Sequence, residues 1–304
     1  MTAIQSAATV LAKPQPIDAS TEEAISRGLI YNMHSYPQLN GGDGYGCGFA
    51  DLDDDGDPDV VILGAADGHI GIFENDGDGN FTDRSKQSGM PYLMLAISGF
   101  TAGDYDGDGD LDLYFAMLGV ANVLMRNDGN FHFTDVTQQA LVGDVGAGFS
   151  ASFGDFDNDG WIDLYLCNYN GQLPGTEDID NKLYHNLGNG TFEEVGIKQT
   201  VDDHGYGFQA VWFDYDRDGD LDLYLSNDRG HLKPLFRSNQ LWQNQNGNLV
   251  NVSESSGAGV ALFSMGVACG DFDNNGWPDL YCTNIPGGGI WIIRSCLTKT
   301  GSTF

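Results

Sequence analysis

The sequence predicts an all-β fold, a β-propeller built from four-stranded blades, and three observations support this prediction. An acidic loop recurs five times along the 304 residues, at intervals of 51 to 59 residues. Each loop runs into a short stretch rich in aliphatic and aromatic residues, which is typical of a β-strand. Four of the units continue into a hairpin. Four short strands in a repeating unit are the pattern of propeller blades.

The first two strands of each unit flank its acidic loop. A glycine-rich or apolar approach precedes the loop, as in "ISGFTAG" before Asp104, and the following strand reads "VVILG", "LYFAM", "LYLCN", "LYLSN" or "LYCTN". Glycine, at 43 residues, fits turns between short strands better than helices. The one stretch with helical character is 20–29, "STEEAISRGL", which Ser20 or Thr21 could cap.

The third and fourth strands form a predicted hairpin in four units. An apolar pair precedes an asparagine, a glycine-containing turn follows, and an aromatic or aliphatic residue begins the next strand. These asparagines are Asn75, Asn127, Asn186 and Asn244. The fifth unit breaks the pattern, because Ser295 takes the asparagine position and the hairpin does not continue.

The units predict the organisation of the chain. A tail at 1–16 precedes the repeats at 17–294, and a C-terminal tail at 295–304 is consistent with truncation. The predicted units are about 17–88, 89–140, 141–199, 200–257 and 258–294. Either the five units close a ring, or they are a piece of a longer propeller whose exposed edges would favour self-association.

The charge of the chain excludes some partners. The formal net charge is −31, from 44 acidic and 13 basic side chains, and about half of the acids lie in the five loops. This charge opposes binding to nucleic acid or to an anionic membrane surface. Since no apolar run approaches the roughly 18 residues of a membrane span, membrane insertion is not expected. A local concentration of carboxylates instead indicates multivalent cations.

The acidic loops are predicted to hold about five Ca²⁺ ions. Numbered from the first aspartate, side-chain oxygens fall at positions 1, 3, 5 and 9, and glycine at position 6 allows a positive φ. Oxygen ligands without His or Cys favour Ca²⁺ over transition metals. Position 7 tolerates tryptophan, so its backbone carbonyl is the expected ligand. The predicted ligands are Asp51, Asp53, Asp55, Asp57 and Asp59; Asp104, Asp106, Asp108, Asp110 and Asp112; Asp155, Asp157, Asp159, Trp161 and Asp163; Asp214, Asp216, Asp218, Asp220 and Asp222; Asp271, Asp273, Asn275, Trp277 and Asp279.

Two other interpretations of the loops are weaker. An EF-hand loop needs a glutamate at position 12. Position 12 is instead occupied by Ile62, Phe115, Leu166, Leu225 or Cys282. Solvated Asp/Gly turns would explain one copy, but they do not explain five copies with the same four oxygen positions.

The quoted motifs resemble those of a known family. The "GDxDxDGxxDLY" segment followed by "LYxNxGxGxFxxV" is similar to FG-GAP/VCBS repeats, which build the calcium-bearing propellers of integrin α chains and of many secreted proteins. "FTDVTQQAL" and "LYLSNDRG" are most similar to the cartilage acidic protein and ASPIC/UnbV group. The resemblance implies a calcium-binding propeller of up to seven blades, fewer of which are visible here. The ASPIC/UnbV C-terminal domain is not seen.

The sequence favours a non-catalytic role, because GxSxG, P-loop and strand-linked GxGxxG motifs are missing. The expected function is a binding, adhesion or scaffold module for a protein or glycan. The alternative is a catalytic propeller, similar to a polysaccharide lyase or hydrolase or acting on a small metabolite. Its candidate cluster would be His204 with Asp228, Arg229 and His231, although the polarity of loops that connect blades explains these residues better. Trp161 and Trp277 either stack on sugars or pack over the neighbouring hairpin.

An extracellular, periplasmic or cell-surface location is expected. Loops of this kind suit Ca²⁺ sites with dissociation constants on the order of 10⁻⁴ to 10⁻³ M, which are filled where free calcium is abundant. The N-terminus lacks a basic region before its weak apolar stretch, so it shows no clear signal peptide.

Overall fold

The structure is a computed structural model that describes residues 22–31, 46–64, 68–92, 97–169, 180–228, 237–284 and 291–294. Within these ranges it contains nineteen β-strands and three one-turn helices. The predicted all-β class is confirmed, and the arrangement of the strands is that of a β-propeller. The helices of the described residues are single turns, and none of them could span a membrane.

The strands group into successive units. The first unit contains β1 (Cys47–Ala50), β2 (Asp59–Ile62), β3 (Gly71–Asn75) and β4 (Phe81–Asp83). The second contains β5 (Ile97–Gly103), β6 (Asp112–Ala121), β7 (Val123–Asn127) and β8 (Phe133–Asp135). The third contains β9 (Val145–Gly154), β10 (Asp163–Asn168), β11 (Lys182–Asn186) and β12 (Phe192–Glu194). The fourth contains β13 (Tyr206–Phe213), β14 (Asp222–Asp228), β15 (Gln240–Asn244) and β16 (Leu249–Asn251). The fifth contains β17 (Val267–Gly270), β18 (Asp279–Cys282) and β19 (Trp291–Arg294).

Each unit is an antiparallel sheet in which the strands pair in chain order. The first and fourth units form separate four-stranded sheets, and the fifth forms a three-stranded sheet. The second and third units merge, because the end of β6 pairs with the start of β9 through Leu118 opposite Ala147. The exact unit boundaries expected from the sequence stay a prediction.

In the second, third and fourth units the second strand is buried on both faces. On β6, Leu113 and Phe115 pack into a core shared with the first unit, whereas Tyr114 and Ala116 pack into a core shared with the third. The same alternation repeats on β10 and β14. Side chains of a strand point alternately to its two faces, so a strand covered on both sides needs a continuous apolar run. This explains why "LYFAM" is uninterrupted by polar residues.

The helical character predicted for 20–29 is wrong for the described part of that stretch. Residues 24–28 form turns, and Ser20 and Thr21 lie outside the described residues. Gly28 adopts a φ of +90°, and the Arg27 carbonyl accepts a hydrogen bond from the Phe81 amide of β4 at 2.6 Å, so the segment turns away to dock on the first sheet. The short helices α1 (Thr137–Ala140), α2 (Gly196–Gln199) and α3 (Ser253–Ser256) instead follow the fourth strands, where no helix was expected.

Candidate metal centres

Each acidic loop connects the first strand of its unit to the second. The loop begins directly after the first strand and ends on the aspartate at position 9, which is the first residue of the second strand. The closing aspartates are Asp59, Asp112, Asp163, Asp222 and Asp279. The rigid sheet therefore fixes both ends of every loop, and the ligand positions between them lie on a short, closed curl.

The aspartate at position 1 organises the curl by accepting backbone hydrogen bonds. In the third loop, one oxygen of Asp155 accepts from the amide of Asp159 at 3.1 Å and the other accepts from Gly160 at 2.9 Å. The same pair of bonds recurs in all five loops. The position-5 side chain in turn accepts from the position-7 amide at 2.8 to 3.1 Å. These bonds hold the carboxylates on the inside of the loop.

The closing aspartate at position 9 is buried, and in the first four loops it accepts two further amide hydrogen bonds. Asp112 is fully buried; one oxygen accepts from Tyr105 at position 2 at 3.0 Å, and the other accepts from Asn127 at 2.8 Å. Burial raises the pKa of Asp59 to about 6 and the pKa values of Asp112, Asp163 and Asp222 to about 7. A neighbouring cation would offset the desolvation that causes these shifts.

These pKa values predict an unusual pH dependence for the protein in chelator. The folded state keeps protons on Asp112, Asp163 and Asp222 up to about pH 7, whereas an unfolded aspartate releases its proton near the ordinary value of 3.8. The folded state thus binds more protons between these values, and the free energy of unfolding is expected to fall as pH rises from about 4 to about 7. Urea titrations across this range in chelator measure it; a rise in stability with pH would contradict the expectation.

The aspartate at position 3 has an oxygen atom without a hydrogen-bond partner in four of the loops. In four loops its Oδ1 atom is sealed from solvent and has no hydrogen-bond partner: Asp53, Asp106, Asp157 and Asp216. Burial is the largest cause that raises the pKa of each of these aspartates, and repulsion from the position-5 carboxylate is the next. Hydrogen bonds and neighbouring positive charges oppose part of this rise in pKa. A buried carboxylate oxygen without a partner is costly unless a cation lies beside it. The donor set therefore fits a bound divalent ion.

The spacing of the carboxylate oxygens agrees with a single centre in each of three loops. Ligand oxygens of Asp51, Asp53 and Asp59 lie within 4.8 Å of one another. The same holds for Asp104, Asp106 and Asp108 in the second loop and for Asp155, Asp157 and Asp159 in the third. Oxygens that share a Ca²⁺ ion at about 2.3 to 2.6 Å cannot lie farther apart than about 5 Å.

The fifth loop keeps the ligand types but is open to solvent. Residues 271–277 are exposed, and Phe272 at position 2 is 52% exposed, whereas Leu52, Tyr105 and Phe156 at the same position are at most 3% exposed. Leu52, Tyr105 and Phe156 are buried because each packs into a core that it shares with side chains of the following unit.

Position 4 is a structural feature of the loop that the sequence interpretation missed. Asp54, Asn158, Arg217 and Asn274 adopt φ values of 58° to 63°, and Gly107 adopts 75°. Asp, Asn and Gly tolerate the left-handed region best, so the residue types at four of the five copies could have indicated it. Position 6 is also left-handed in every loop, with φ between 86° and 99°, as the invariant glycine predicts.

Neighbouring loops contact each other through positions 4 and 7. Asn158 donates to Asp220 of the next loop at 2.8 Å, and the Arg217 guanidinium lies 5.1 Å from the ring centre of Trp277. Trp161 lies against Gly107 of the preceding loop and Gly188 of its own hairpin, since a Cβ on either glycine would approach its indole to 2.8 and 2.5 Å. Trp161, Asp220 and Trp277 at position 7 therefore make contacts between units. That the backbone carbonyls of position 7 bind an ion stays a prediction.

In the second, third and fourth units the hairpin asparagine links the acidic loop to the preceding unit. The Asn127 amide nitrogen donates to the Leu52 carbonyl at 2.9 Å. Asn186 donates to Tyr105 at 2.7 Å, and Asn244 donates to Phe156 at 2.6 Å. Each of these asparagines also donates to the position-8 carbonyl of its own loop. The sequence placed the asparagines in a turn but did not show that they bridge units.

The histidine cluster considered from the sequence is only partly described. His204 is half-exposed and bonds through Nδ1 to Asp180, close to Asp202. Asp228 accepts a hydrogen bond from the Tyr169 hydroxyl at 2.7 Å. Arg229 and His231 lie outside the described residues. The described part shows polar groups that bond to neighbouring loops.

A cavity of about 660 Å³ lies between the second and third units. Its lining includes Asn122, Asp135, Asp144, Lys182 and Glu194, so it combines carboxylates with an amine. No residue of the acidic loops lines this cavity. It is a recess distinct from the candidate metal centres, lined by both apolar and charged side chains.

Comparison with known proteins identifies the repeat. A model described as an FG-GAP-like repeat matches residues 51–115, 117–166 and 157–225, which together exceed half of the chain. Cartilage acidic protein 1 of Homo sapiens is 27% identical over 180 residues, covering 57% of this chain and 27% of that protein. The Mus musculus protein of the same name is 26% identical over the same shares. The chain thus spans about a quarter of the length of these relatives.

One solved structure aligns with this chain at low sequence identity and a low TM-score. The V. cholerae biofilm matrix protein Bap1 aligns over 78% of this chain and 34% of its own, at 14% identity and a TM-score of 0.37. The family assignment rests instead on the matched repeats and on the curated relatives, which confirm the resemblance to the cartilage acidic protein group. The chain belongs to the FG-GAP-like repeat family.

Proposed function

We propose that this chain is a calcium-stabilised binding module in which the five acidic loops each hold one Ca²⁺ ion. The observation that carries the proposal is the buried Oδ1 atom without a partner at position 3 of four loops. The residues proposed to hold the ions are those at positions 1, 3, 5 and 9, with the backbone carbonyl of position 7. When bound, Ca²⁺ neutralises the clustered carboxylates and ties the loop to the second strand.

The chemistry of the donors favours calcium. Every proposed side-chain ligand at positions 1, 3, 5 and 9 is an oxygen, and Ca²⁺ accepts six to eight oxygen ligands in flexible geometry. Mg²⁺ prefers a tighter octahedral site that retains waters. Because the fifth loop is exposed, we propose that it binds more weakly than the other four.

The wider role proposed is non-catalytic binding of a protein or glycan outside the cytoplasm. The family assignment supports a propeller that presents loops to a ligand, and the name of the curated relatives, cartilage acidic protein, supports the location. A glycan array probed with the calcium-loaded chain, together with a reducing-sugar release assay, tests this role. Saturable binding without release is expected; release of product would instead favour a catalytic propeller.

Calcium binding is tested by counting ions on matched variants. Native mass spectrometry and calorimetry are expected to show about five Ca²⁺ ions on the chain. Asp106→Asn removes a proposed ligand charge with little change in shape, so one site is expected to weaken by at least about tenfold. The control is Asp78→Asn, since Asp78 is exposed in a hairpin turn. Equal calcium binding by both variants would contradict the assignment of Asp106.

A further inference from the structure

The residue opposite the closing aspartate differs from loop to loop. The register pairs Leu164 with Tyr184 in the third unit, which places His185 opposite Asp163. The registers of the other sheets, continued by one residue, place Glu74 opposite Asp59 and Arg126 opposite Asp112. In the fourth unit Gln243 lies opposite Asp222. The four loops share their ligand positions, but each has a different neighbour.

In the third loop this neighbour is positioned as a ligand. His185 Nδ1 lies 3.1 Å from Asp163 Oδ1 and 3.5 Å from Asp157 Oδ2. The other oxygen of Asp157 is sealed from solvent and has no partner. The imidazole is 22% exposed and packs edge-on against Phe156, with ring centres 5.8 Å apart. Ligand atoms held at about 2.0 to 2.2 Å from one ion lie about 3 to 3.5 Å apart, which these distances match.

The residues at the same position in the other loops cannot supply a nitrogen ligand. Glu74 is paired with Arg84, and Arg126 is a cation paired with Asp128. The Gln243 amide nitrogen donates to Asp216 Oδ2 at 2.6 Å, and an amide nitrogen has no lone pair to offer a metal. Among the four described loops with a sealed position-3 oxygen, the third differs in kind.

We propose that the third loop is a mixed nitrogen–oxygen site, in which His185 joins Asp157 and Asp163 to bind a first-row transition ion such as Zn²⁺. Imidazole suits Zn²⁺ and its neighbours, whereas carboxylate and carbonyl oxygens suit Ca²⁺. The inference rests on the proposed metal-binding role of the loops: the third loop holds Ca²⁺ when no transition ion is present and prefers the transition ion when one is.

The test is calorimetric titration of Zn²⁺ into the full chain in millimolar Ca²⁺. One Zn²⁺ ion is expected to bind at the third loop, and His185→Gln is expected to weaken it by at least about tenfold, because loss of a ligand costs no less than loss of an outer-shell partner. The substitution reproduces the residue found in the fourth loop. The reciprocal Gln243→His is expected to add a second Zn²⁺ site.

His204→Gln is the matched control, because His204 with Asp180 and Asp202 is another histidine–carboxylate cluster. A Zn²⁺ affinity that is unchanged in His185→Gln, or that falls as much in His204→Gln, overturns the inference, as does a wild-type chain that binds no Zn²⁺. Calcium-induced stabilisation is measured on the same variants. If calcium stabilises the protein but Zn²⁺ does not bind, the inference alone fails. If Zn²⁺ binds through His185 but calcium does not change the stability, the proposed function alone fails.

Discussion

Removal of divalent cations is expected to lower the melting temperature of the protein by about 10 °C or more relative to millimolar Ca²⁺. A site filled at about 10 to 20 times its dissociation constant adds about 1.5 kcal/mol to the free energy of unfolding, and several such sites act on one chain. Each kcal/mol moves the melting temperature by about 1.5 to 2 °C in a protein of 304 residues. Calorimetric or fluorescence melts in EDTA and in Ca²⁺ measure the shift.

Selectivity provides the control for this experiment. Mg²⁺ added to the chelated protein at the same free concentration is expected to restore much less of the melting temperature than Ca²⁺, because it does not readily exchange its waters for a ring of carboxylates. If melts in EDTA and in Ca²⁺ coincide, the calcium sites do not exist as proposed. Equal restoration by both ions would mean that the loops respond to charge alone.

Asn186→Ala is expected to destabilise the calcium-loaded protein by about 3 kcal/mol or more. The side chain is fully buried, and it donates to the Tyr105 carbonyl of the second unit and to the Ile162 carbonyl of its own loop. Its loss leaves two carbonyls without a donor, at about 1 to 3 kcal/mol for each unsatisfied group. Urea-induced unfolding followed by tryptophan fluorescence measures the change.

Asn75→Ala is the matched control. Asn75 holds the same position in the first unit but is partly exposed, and its amide donates to Pro58 of its own loop. Its loss is expected to cost about 1 kcal/mol, as for an ordinary hydrogen bond. Equal destabilisation by both variants would show that the turn itself, and not the bond between units, is what the asparagine stabilises.

The repeat made much of the fold predictable from the sequence. Five aligned copies separate the positions that keep a side-chain oxygen or a glycine from those that vary, so positions 1, 3, 5, 6 and 9 stood out. The second strand of each unit was recognised from its apolar run. The all-β class and the hairpin asparagines follow from the same alignment.

The contacts between units could not be predicted in the same way. The bond from Asn186 to Tyr105 joins residues 81 positions apart, and nothing in either local sequence indicates the partner. The pairing of β6 with β9 and the position of His185 beside Asp157 likewise depend on how sheets stack. The predicted helix at 20–29 failed because local propensity does not register that 22–31 docks against β4.

The bonds around the closing aspartates form a continuous series that joins the first four loops. Asp112 accepts a hydrogen bond from the backbone amide of Tyr105, and the backbone carbonyl of Tyr105 accepts one from the side-chain amide of Asn186. The backbone amide of Asn186 then donates to Asp163 of the next loop. The same three links join the first loop to the second and the third to the fourth. An ion that tightens one loop therefore presets the geometry of its neighbour, and filling is expected to be cooperative. Emptying a single inner loop would then loosen the loops on both sides of it.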